Sequence, residues 1–436
     1  MPPFAALNRA HVLWNRSQRM RAQSLMVLKL DIGGPIAKPQ ILYLEATTSK
    51  SARAPESGEL QRDTNVTQFC GFALISRSMT GAEPSYRVQA SERVSQAEAS
   101  QAFERLAEPF RRELKLHCYR MLGSLHEAED MVQETYLRAW RGFSSFEERG
   151  AMRAWLYRIA TNACLNAIES GKHAQRFMPD QLGPATGLKL SDPPATDVPW
   201  LEPYPDSSLD WVADDAPNPE ARYTSREAVQ LAFVATIQQL PPRQRAALLL
   251  CDVMGWAASD AAAQLGCSVA SINSALQRAR DTLAKRYPDG RPPAQSRPDS
   301  TQEKLLGRFL KVWEGHDLDG FVALLKEDAT CTMPPWSQWF VGRDAIGSFF
   351  AVAWNTCGGL RLVPTSANGQ PAFAVYEHSK TDARWNAHSI HVLTLEGGAI
   401  SAMTIFLEPK LIEAFGLPLT LPEGQSGESP AGPHHS

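Results

Sequence analysis

Apolar residues recur at helical spacing in two separate stretches of the chain, and a third stretch near the C-terminus changes to strand-like spacing. Steps of three and four residues between apolar positions run from 102 to about 176 and again over 222–287. Short runs at 372–376, 389–395 and 400–407 have the length and the β-branched and aromatic content of strands. The pattern therefore predicts two helical domains followed by a domain that contains a sheet.

The first helical stretch predicts two amphipathic helices. In one, apolar residues from Leu125 to Trp140 share a face, and the opposite face carries Glu129, Asp130, Gln133, Glu134 and Arg138. The second, Met152 to Ile168, turns Trp155 and Ile159 inward. Its polar positions are Arg153, Arg158, Asn162 and Asn166.

The second helical stretch contains three recognisable features. Leu240-Pro241-Pro242 ends one helix and begins the next, because proline is tolerated only in a first turn. A helix over 257–265 is followed by a short turn at Gly266 and by a last helix from Val269 to about Arg286. This last helix has an apolar stripe on one side and, on the other, Ser271, Asn273, Ser274, Gln277, Arg278 and Arg280.

The segment between the two helical stretches, 177–220, has nine prolines, nine acidic residues and one lysine. This composition predicts a linker that buries little surface, a flexible acidic tether between two separated helical domains. Trp200, Leu201 and Trp211 are apolar enough to dock on a neighbouring surface.

The C-terminal part predicts an α+β domain. Residues 304–326 are typical of one or two amphipathic helices and 344–354 of a shorter one, and Glu396-Gly397-Gly398 is typical of a hairpin turn between the last two strands. The fold class is thus multidomain, with two all-α domains and a C-terminal α+β cone.

Composition excludes several classes of protein. The 436 residues are 43% hydrophobic and 21% charged with a net charge of −3, which is ordinary for globular domains. Seven cysteines without a C-x-x-C pair support neither a disulfide framework nor a zinc site, and no metal or cofactor is expected. Reduced thiols and the lack of a spanning segment predict a cytoplasmic protein without a membrane partner.

Both ends of the chain lack a sustained period. Residues 1–98 are expected to be a poorly ordered extension or a mis-assigned start, with Met79 as a more ordinary beginning, and 419–436 a disordered tail. The other boundaries are a helical domain at 99–176, the linker at 177–220, a second helical domain at 221–287, a hinge at 288–300 and the α+β domain at 301–418.

The helix pair around Gly266 has the form of a helix-turn-helix, which reads DNA with amide and guanidinium groups. Pro241–Tyr287 holds six cations and three anions, and this excess is expected on the outer face and the helix end. A helical hairpin used only for packing would fit the same pattern.

Longer motifs resemble a known family. AEDMVQETYLRAW at 128–140 followed by RAWLYRIATN at 153–162 closely resembles region 2 of the sigma-70 family of RNA polymerase sigma factors. LPPRQR at 240–245, together with SINSALQRAR at 271–280, resembles their region 4. Only the acidic linker lies between them, which is the layout of the extracytoplasmic-function group.

The resemblance implies roles for particular residues. Those that would bind the clamp of core RNA polymerase are Asp130, Gln133, Glu134 and Arg138. Those placed to capture and melt the minus-10 element are Arg153, Trp155, Arg158, Asn162 and Asn166, although Trp155 also suits a plain core position. Those facing the minus-35 major groove are Ser271, Asn273, Ser274, Gln277, Arg278 and Arg280.

The C-terminal domain is similar to SnoaL-like domains of the nuclear transport factor 2 superfamily. FVGRDAI at 340–346 suits their strand-to-helix turn. NGQPA at 368–372 and WLEPYPD at 200–206 look like motifs of sigma factors fused to this domain, whereas the hinge YPDGR at 287–291 departs from the longer glycine-rich version.

Free-standing relatives of the cone use a pocket Asp or His in acid–base catalysis. The candidates here are His378, Asp382, His388 and His391. Strand alternation would point His388 and His391 to opposite faces, which disfavours one shared site, and ordinary structural histidines are the simpler interpretation.

The prediction is an alternative sigma factor, not an enzyme, that binds core RNA polymerase and promoter DNA. Its C-terminal domain would fold back on the sigma core or its linker and regulate activity, with a small-molecule ligand in the cone as a possible bias. Two other classes stay open: a pocket enzyme of the cyclase or isomerase kind, and a one-component repressor or activator that needs no polymerase.

Overall fold

The computed structural model describes residues 99–146, 152–171, 175–186, 193–209, 228–286, 299–355, 357–379, 381 and 384–422. The predicted N-terminal extension therefore lies outside the described residues, as do nearly all of the hinge and most of the predicted tail. Trp211 and Asp382 lie outside them too. Within the described residues, no helix combines the length and the apolar content that crossing a bilayer requires.

Three long helices form the first domain. Residues 99–107 are helical and lead through the 3-10 turn Glu108–Phe110 into α1 (Arg111–Leu122), α2 (Leu125–Gly142) and α3 (Met152–Glu169). Gly123 ends α1 with a φ of 73°, and the Ser124 side chain caps α2 by accepting a hydrogen bond from the Glu127 amide. The predicted amphipathic pair at 125–140 and 152–168 is confirmed.

Four short helices and one long helix form the second domain. They are α4 (Leu231–Gln238), α5 (Pro242–Leu248) with the π-helix Leu249–Val253, α6 (Ala258–Leu265) and α7 (Val269–Arg286). Pro242 begins α5, and Gly266 ends α6 in the left-handed region with a φ of 61°, as the proline and glycine positions predicted.

The C-terminal domain packs helices against a seven-stranded sheet. Its helices are α8 (Ser300–Glu314), α9 (Leu318–Val322), α10 (Arg343–Ala353) and α11 (Leu411–Ala414). Its strands are β1 (Leu325–Thr332), β2 (Trp339–Val341), β3 (Leu360–Ala367), β4 (Gln370–His378), β5 (Trp385–Glu396), β6 (Ala399–Phe406) and β7 (Thr420–Leu421).

The sheet order is β2-β1-β6-β5-β4-β3, with β7 beside β5. Only the β1–β6 pair is parallel among these strand pairs of the described chain, so the α+β prediction is confirmed. The predicted hairpin is also confirmed, since Glu396 pairs with Ala399 across Gly397 and Gly398, both at positive φ. Strand β1 was not predicted, because its stretch Lys326-Glu327-Asp328 interrupts the apolar pattern.

Both faces of this sheet are buried. On one face Phe373, Val375 and Leu393 belong to the cone's own core with α8 to α10. On the other face Ala374 and Ile390 belong to a cluster that continues into the helical domains. The cone is therefore packed against the rest of the chain.

The linker differs from its prediction. Leu201 is 1% exposed and Tyr204 is 0% exposed, so the linker is anchored at these residues and is no free tether. Its described helical structure consists of the 3-10 turns Pro179–Gln181 and Asp206–Ser208. Leu201 N donates to Phe177 O within the linker, and Ala195 N donates to Pro335 O of the cone. The expectation that the two helical domains are separated is also wrong, because α3 of the first domain contacts α5 and α6 of the second.

Candidate functional site

The face of α7 predicted to read DNA is exposed. Its buried stripe of Ile272, Ala275, Leu276, Ala279 and Leu283 fixes the helix on the domain. The six predicted residues, all exposed, are Ser271, Asn273, Ser274, Gln277, Arg278 and Arg280. Of the positive charges expected on this surface, Arg245 is instead buried at 3% exposure, because it serves the contact between the two helical domains.

Several of these polar groups are paired within the second helical domain. The Arg280 guanidinium makes two hydrogen bonds to the Asp252 carboxylate, at 2.7 and 3.0 Å. Arg278 donates to Ser274 Oγ at 2.7 Å, and Gln277 donates to Asp281 at 2.9 Å. Contact with DNA must exchange these exposed bonds for bonds to bases and phosphates.

The predicted minus-10 residues divide into two groups. Trp155, Arg158 and Asn162 line a surface pocket of about 320 Å³, which we call the α3 pocket, and Asn166 is exposed one turn beyond it. Arg138 of α2 also lines this pocket, although the sequence assigned it to polymerase binding. The remaining lining residues are Gly142, Ser145 and Ile159, which the sequence did not predict as site residues.

Trp155 is half-buried, which is compatible with both of the roles predicted for it. Its ring packs on the edge of the first domain's core and lies 4.8 Å from the Phe146 ring. The rest of the indole forms one wall of the α3 pocket. A half-buried aromatic ring beside arginine and asparagine side chains suits stacking of an unpaired base.

Arg153 lies outside the α3 pocket. Its guanidinium binds the Glu113 carboxylate at 2.9 Å and lies 5.2 Å from the centre of the Tyr157 ring. Tyr157 also donates to Glu113. The pKa of His117 is lowered to about 3. Burial of the ring is the main cause, and the charges of Arg120 and Arg153 lower this pKa further. The ring is therefore neutral, and its Nε2 bonds Thr161 Oγ1 at 2.9 Å.

The predicted polymerase-binding face of α2 is exposed in its first half. Asp130 and Gln133 are exposed, and Glu134 is half-buried and accepts a hydrogen bond from Arg138 at 2.7 Å. Leu137 continues the same helical face and is 52% exposed. Single exposed leucines are common on protein surfaces, so only the position of Leu137 on the predicted polymerase-binding face, which the helical period could have located, makes it a candidate contact.

Arg245 joins the two helical domains. It donates to the carbonyl oxygens of Ile237, Gln238 and Leu240 in its own domain and to that of Met121 in the first domain. Burial lowers the pKa of Arg245 to about 10, so the group stays charged at neutral pH. Gln264 of α6 also donates to Ala154 O at the start of α3, at 3.3 Å.

The cone contacts both helical domains and the linker through one asparagine. Asn368 is 0% exposed, and its Nδ2 donates to Tyr119 Oη of α1 at 3.0 Å and to Val229 O, before α4, at 2.8 Å. Its Oδ1 accepts from Tyr204 N of the linker at 2.8 Å, and its own N donates to Tyr204 O. We call this arrangement the Asn368 junction.

Local sequence explains how Asn368 reaches this position. Asn368 and Gly369 have φ values of 57° and 69° and form the two-residue turn between β3 and β4, where Ala367 pairs with Gln370. Asn-Gly is the strongest short signal for such a turn, because both residues tolerate positive φ. The Gly369 amide donates to the Asp206 carboxylate, and Gln370 Oε1 accepts from Leu231 N.

The linker also caps the helix that carries the predicted polymerase-binding residues. Glu202 accepts hydrogen bonds from Leu125 N at 2.7 Å and Ser124 Oγ at 3.0 Å, both at the N-terminus of α2. A carboxylate is favourable there because of the helix dipole. Gly123 permits this close approach, since a Cβ on it would lie 2.8 Å from Leu201 Cδ1.

The histidines of the cone are connected differently from the prediction. His388 Nδ1 and His391 Nε2 both lie 3.0 Å from Ser389 Oγ. Simple strand alternation fails here because β5 has a bulge at His388, where the pairing shifts from Val375–Ser389 to Tyr376–Ala387. His378 instead packs its ring 4.9 Å from Trp385, away from this group.

Family profiles match three parts of the chain. Sigma-70 region 2 matches residues 106–173, Sigma-70 region 4 matches 230–283 and the SnoaL-like domain matches 306–403. These three ranges coincide with the two helical domains and the cone, so the family resemblance and the fold agree.

Curated proteins match as well. The chain is 41% identical over 327 residues to the ECF RNA polymerase sigma factor SigG of Mycobacterium tuberculosis, which covers 73% of this chain and 85% of SigG. It is 30% identical over 197 residues to the RNA polymerase sigma-H factor of Pseudomonas aeruginosa, which covers 45% of this chain and 91% of that protein.

Among solved structures, the crystal structure of the extracytoplasmic function sigma factor SigJ of Mycobacterium tuberculosis is 22% identical with a TM-score of 0.47, covering 73% of this chain and 99% of that one. The identity and extent of the match to SigG, together with the three family profiles, decide the assignment. The chain belongs to the extracytoplasmic-function group of sigma-70 family RNA polymerase sigma factors, which direct transcription initiation, and it carries a SnoaL-like domain at its C-terminus.

Proposed function

We propose that the SnoaL-like domain regulates this sigma factor by holding its two helical domains in a closed arrangement. The observation that carries this proposal is the Asn368 junction, in which one buried side chain of the cone bonds region 2, the linker and the segment before region 4. Buried polar networks of this kind fix one arrangement of the parts they join.

The closed arrangement is incompatible with simultaneous binding to both promoter elements. Positions named minus 35 and minus 10 lie about 25 base pairs apart, or ~85 Å along B-form DNA at about 3.4 Å per base pair. Here α6 of the helix-turn-helix contacts the first turn of α3 through Gln264 and Ala154. Promoter binding must therefore separate the two domains, and the Arg245–Met121 bond must break.

Within the opened protein, we assign roles as follows. The α3 pocket would take an unpaired base of the minus-10 element, with Trp155 as its stacking surface and Arg158 and Asn162 as polar contacts. Arg153 would act through its ion pair with Glu113, and Asn166 would contact the strand beyond the pocket. The residues for the minus-35 groove are Ser271, Asn273, Ser274, Gln277, Arg278 and Arg280.

The polymerase contact is assigned to α2. Asp130, Gln133 and Glu134 would bind the clamp of core polymerase, and Leu137 would add an apolar contact on the same face. Arg138 would orient Glu134 and complete the α3 pocket. Because Glu202 caps α2, release of the linker changes the N-terminus of this helix at the same time as it frees region 4.

A small molecule in the cone would shift the balance between closed and open states only if it binds one of them more tightly. Regulation then needs no enzymatic step. The cone and the linker would move together, since Tyr204 and Asp206 bond the Asn368 turn.

Runoff transcription with purified core polymerase tests the regulatory role. We compare the full chain with Asn368→Asp, which keeps the acceptor for Tyr204 N and loses both donors, and with Asn368→Gly, which also suits the positive φ. A chain that ends after Arg286 removes the cone altogether. We expect transcription to rise at least about fivefold in Asn368→Asp and more in the truncated chain.

Ser366→Ala is the matched control, because its side chain lies on the same hairpin outside the junction. Equal output from all these proteins would contradict the proposed regulation. Binding to core polymerase, measured separately by pull-down, distinguishes that failure from a failure of the sigma assignment itself. Loss of promoter output in Asn162→Ala and Gln277→Ala, with polymerase binding intact, is the corresponding test of the DNA-contact residues.

A further inference from the structure

Three positively charged side chains line the outer face of α8, the first helix of the cone. The side chains, all exposed, are Lys304, Arg308 and Lys311. Their spacing places them on one side of the helix, over about 10 Å at about 1.5 Å per residue. The opposite side packs on the core of the cone through Leu305, Phe309 and Trp313. The charged side chains therefore face away from the cone.

These charges do not hold the cone together. Among the described residues, none of the three side chains takes part in a hydrogen bond or an ion pair. The two acidic residues of α8 lie at its ends: Glu303 is in the first turn, and Glu314 accepts a hydrogen bond from Leu362 N of the sheet at 3.1 Å. Lys311 suits the last turn of the helix, but like charges four residues apart, as at 304 and 308, repel each other.

A glycine lies within this charged face. Gly307 is an exposed residue in the interior of α8, three residues after Lys304 and four before Lys311. Glycine weakens a helix interior relative to alanine. The described fold does not require it, because a Cβ at this position would meet no described atom within 4 Å. The missing side chain instead lets another molecule come close to the helix backbone.

We call Lys304, Gly307, Arg308 and Lys311 the α8 basic patch. It ends a run of positive charge that begins in the exposed face of α7. Residues 278–311 contain nine arginines and lysines against four acidic residues, in a chain whose net charge is −3. A local excess of this kind in an acidic chain is typical of a surface that meets a polyanion.

The α8 basic patch stays near the helix-turn-helix even when the two helical domains separate. Residues 287–298 connect the end of α7 at Arg286 to Asp299, which caps α8. A fully extended chain spans at most about 3.6 Å per residue, so these two ends are at most about 45 Å apart. That distance corresponds to about 13 base pairs of duplex at about 3.4 Å each. DNA beside the region 4 site is therefore within reach of α8.

We infer that the α8 basic patch binds the phosphate backbone of promoter DNA beside the region 4 site. Double-stranded DNA carries one negative charge per about 1.7 Å of its axis, so cations spread over about 10 Å of helix meet several phosphates. Contacts of this kind position a protein on the duplex without reading its sequence. The cone thereby gains a role in promoter binding that is separate from the proposed regulation.

Binding of the holoenzyme, core polymerase with the full chain, to a promoter fragment tests the inference. Filter binding between about 50 and 300 mM salt compares the unaltered chain with the triple variant Lys304→Gln, Arg308→Gln and Lys311→Gln. We expect about tenfold weaker binding of the triple variant at low salt. The slope of log K against log salt should become shallower by about 2–3, since each phosphate contact contributes about 0.9. Arg384→Gln, which removes an exposed cation of the cone outside the patch, should leave both values unchanged.

Gly307→Leu tests the shape of the patch without changing its charge. Leucine is a better helix former than glycine and its Cβ would meet no described atom, so the temperature of thermal unfolding should not fall. We expect promoter binding to weaken at least about threefold, because the added side chain keeps the duplex away from α8. Gly307→Ala, with the smallest side chain, is the matched control and should bind nearly as tightly as the unaltered chain.

Hydroxyl-radical footprinting of the same complexes locates the contact. The unaltered chain should protect backbone positions within about 13 base pairs of the minus-35 element that the triple variant leaves open to cleavage. An unchanged footprint with weaker pull-down of core polymerase would assign the patch to polymerase, and unchanged affinity and salt slope would leave it without a contact. Either result overturns the inference. The patch is exposed in the closed arrangement as well, so these results do not depend on whether the cone regulates transcription.

Discussion

The two faces of the cone's sheet meet very different surroundings. At the edge of the outer face, the Asn368 junction pairs both side-chain polar atoms of Asn368 with neighbours in three other parts of the chain. On the inner side, four ring nitrogens are buried without a hydrogen-bond partner in the described chain, and they belong to Trp313, His316, Trp354 and His391. The Asn368 side chain is therefore fully paired within this chain, whereas the rings on the inner face are not.

This difference separates two kinds of environment within one domain. A buried asparagine whose side-chain donors and acceptor are all paired by the same chain holds a defined arrangement, as expected for the closed state. Buried ring nitrogens without a partner forgo the hydrogen bonds that water supplies in the unfolded chain.

Removing Arg245, which joins the two helical domains, should have the largest effect on the free energy of unfolding. Arg245→Leu leaves the carbonyls of Met121, Ile237, Gln238 and Leu240 without this donor, and we expect a loss of about 3–5 kcal/mol in the free energy of unfolding. Urea unfolding followed by circular dichroism measures it. Arg243→Leu, in an exposed pair with Glu169 at 3.6 Å, should change stability by less than about 0.5 kcal/mol. Similar losses in both variants would contradict the assigned role of Arg245.

Acid should destabilise the helical part through His117. The folded pKa of about 3 is below the ordinary value of 6.5, so the unfolded chain binds a proton that the folded chain does not. Stability is full above about pH 6.5 and falls as the pH drops toward 3, by up to about 1.4 kcal/mol per unit. The unaltered chain should therefore have a lower urea midpoint at pH 5 than at pH 7, and this difference should be smaller in His117→Gln. The exposed His126→Gln should keep the unaltered slope, and a reduced slope there would argue against this origin.

Replacing tyrosine by phenylalanine at two neighbouring positions of the linker contact should change stability in different ways. Tyr119→Phe loses the hydroxyl that donates to Glu202 O and accepts from Asn368, and should cost about 1–2 kcal/mol. Tyr204→Phe removes a buried hydroxyl that has no partner, and should leave stability unchanged or raise it slightly. Thermal unfolding of both variants measures the difference. Equal losses would show that ring packing, and not the hydrogen bonds, holds this contact.

The smallest effect is expected inside the cone. Trp354→Phe removes an indole nitrogen that bonds nothing in the described chain, so the unliganded protein should change by less than about 1 kcal/mol from lost ring area. Differential scanning calorimetry of the variant and the unaltered chain measures it. A much larger loss would contradict the assignment of this nitrogen as unpaired, and the contrast between the two faces would disappear.

Much of the fold followed from the sequence because local signals agreed with tertiary packing. Proline at 241 and 242, glycine at 266 and the two glycines at 397 and 398 ended or turned their elements where expected. The α7 face was also predicted residue by residue, since an exposed helix face follows directly from the helical period.

The arrangement of the domains could not be predicted in the same way. The acidic, proline-rich linker was expected to stay free, but Leu201 and Tyr204 find apolar partners that no local pattern reveals. Arg245 was counted as a surface cation, whereas five acceptors from two domains bury it. The positions of Arg138 and Arg153 likewise depend on contacts that are distant in sequence: Arg138 lines a pocket with Trp155, and Arg153 bonds Glu113, which is 40 residues away.

Spin labels at the exposed positions Arg112 and Lys285, in a chain whose native cysteines are replaced, report the separation of the two helical domains by electron double resonance. The account predicts one short, narrow distance distribution in the free full chain. In the complex with core polymerase and promoter DNA, the distance should increase by tens of ångströms, because the promoter elements lie ~85 Å apart. The same distance in the free chain and the promoter complex would contradict the closed state on which the proposed regulation depends.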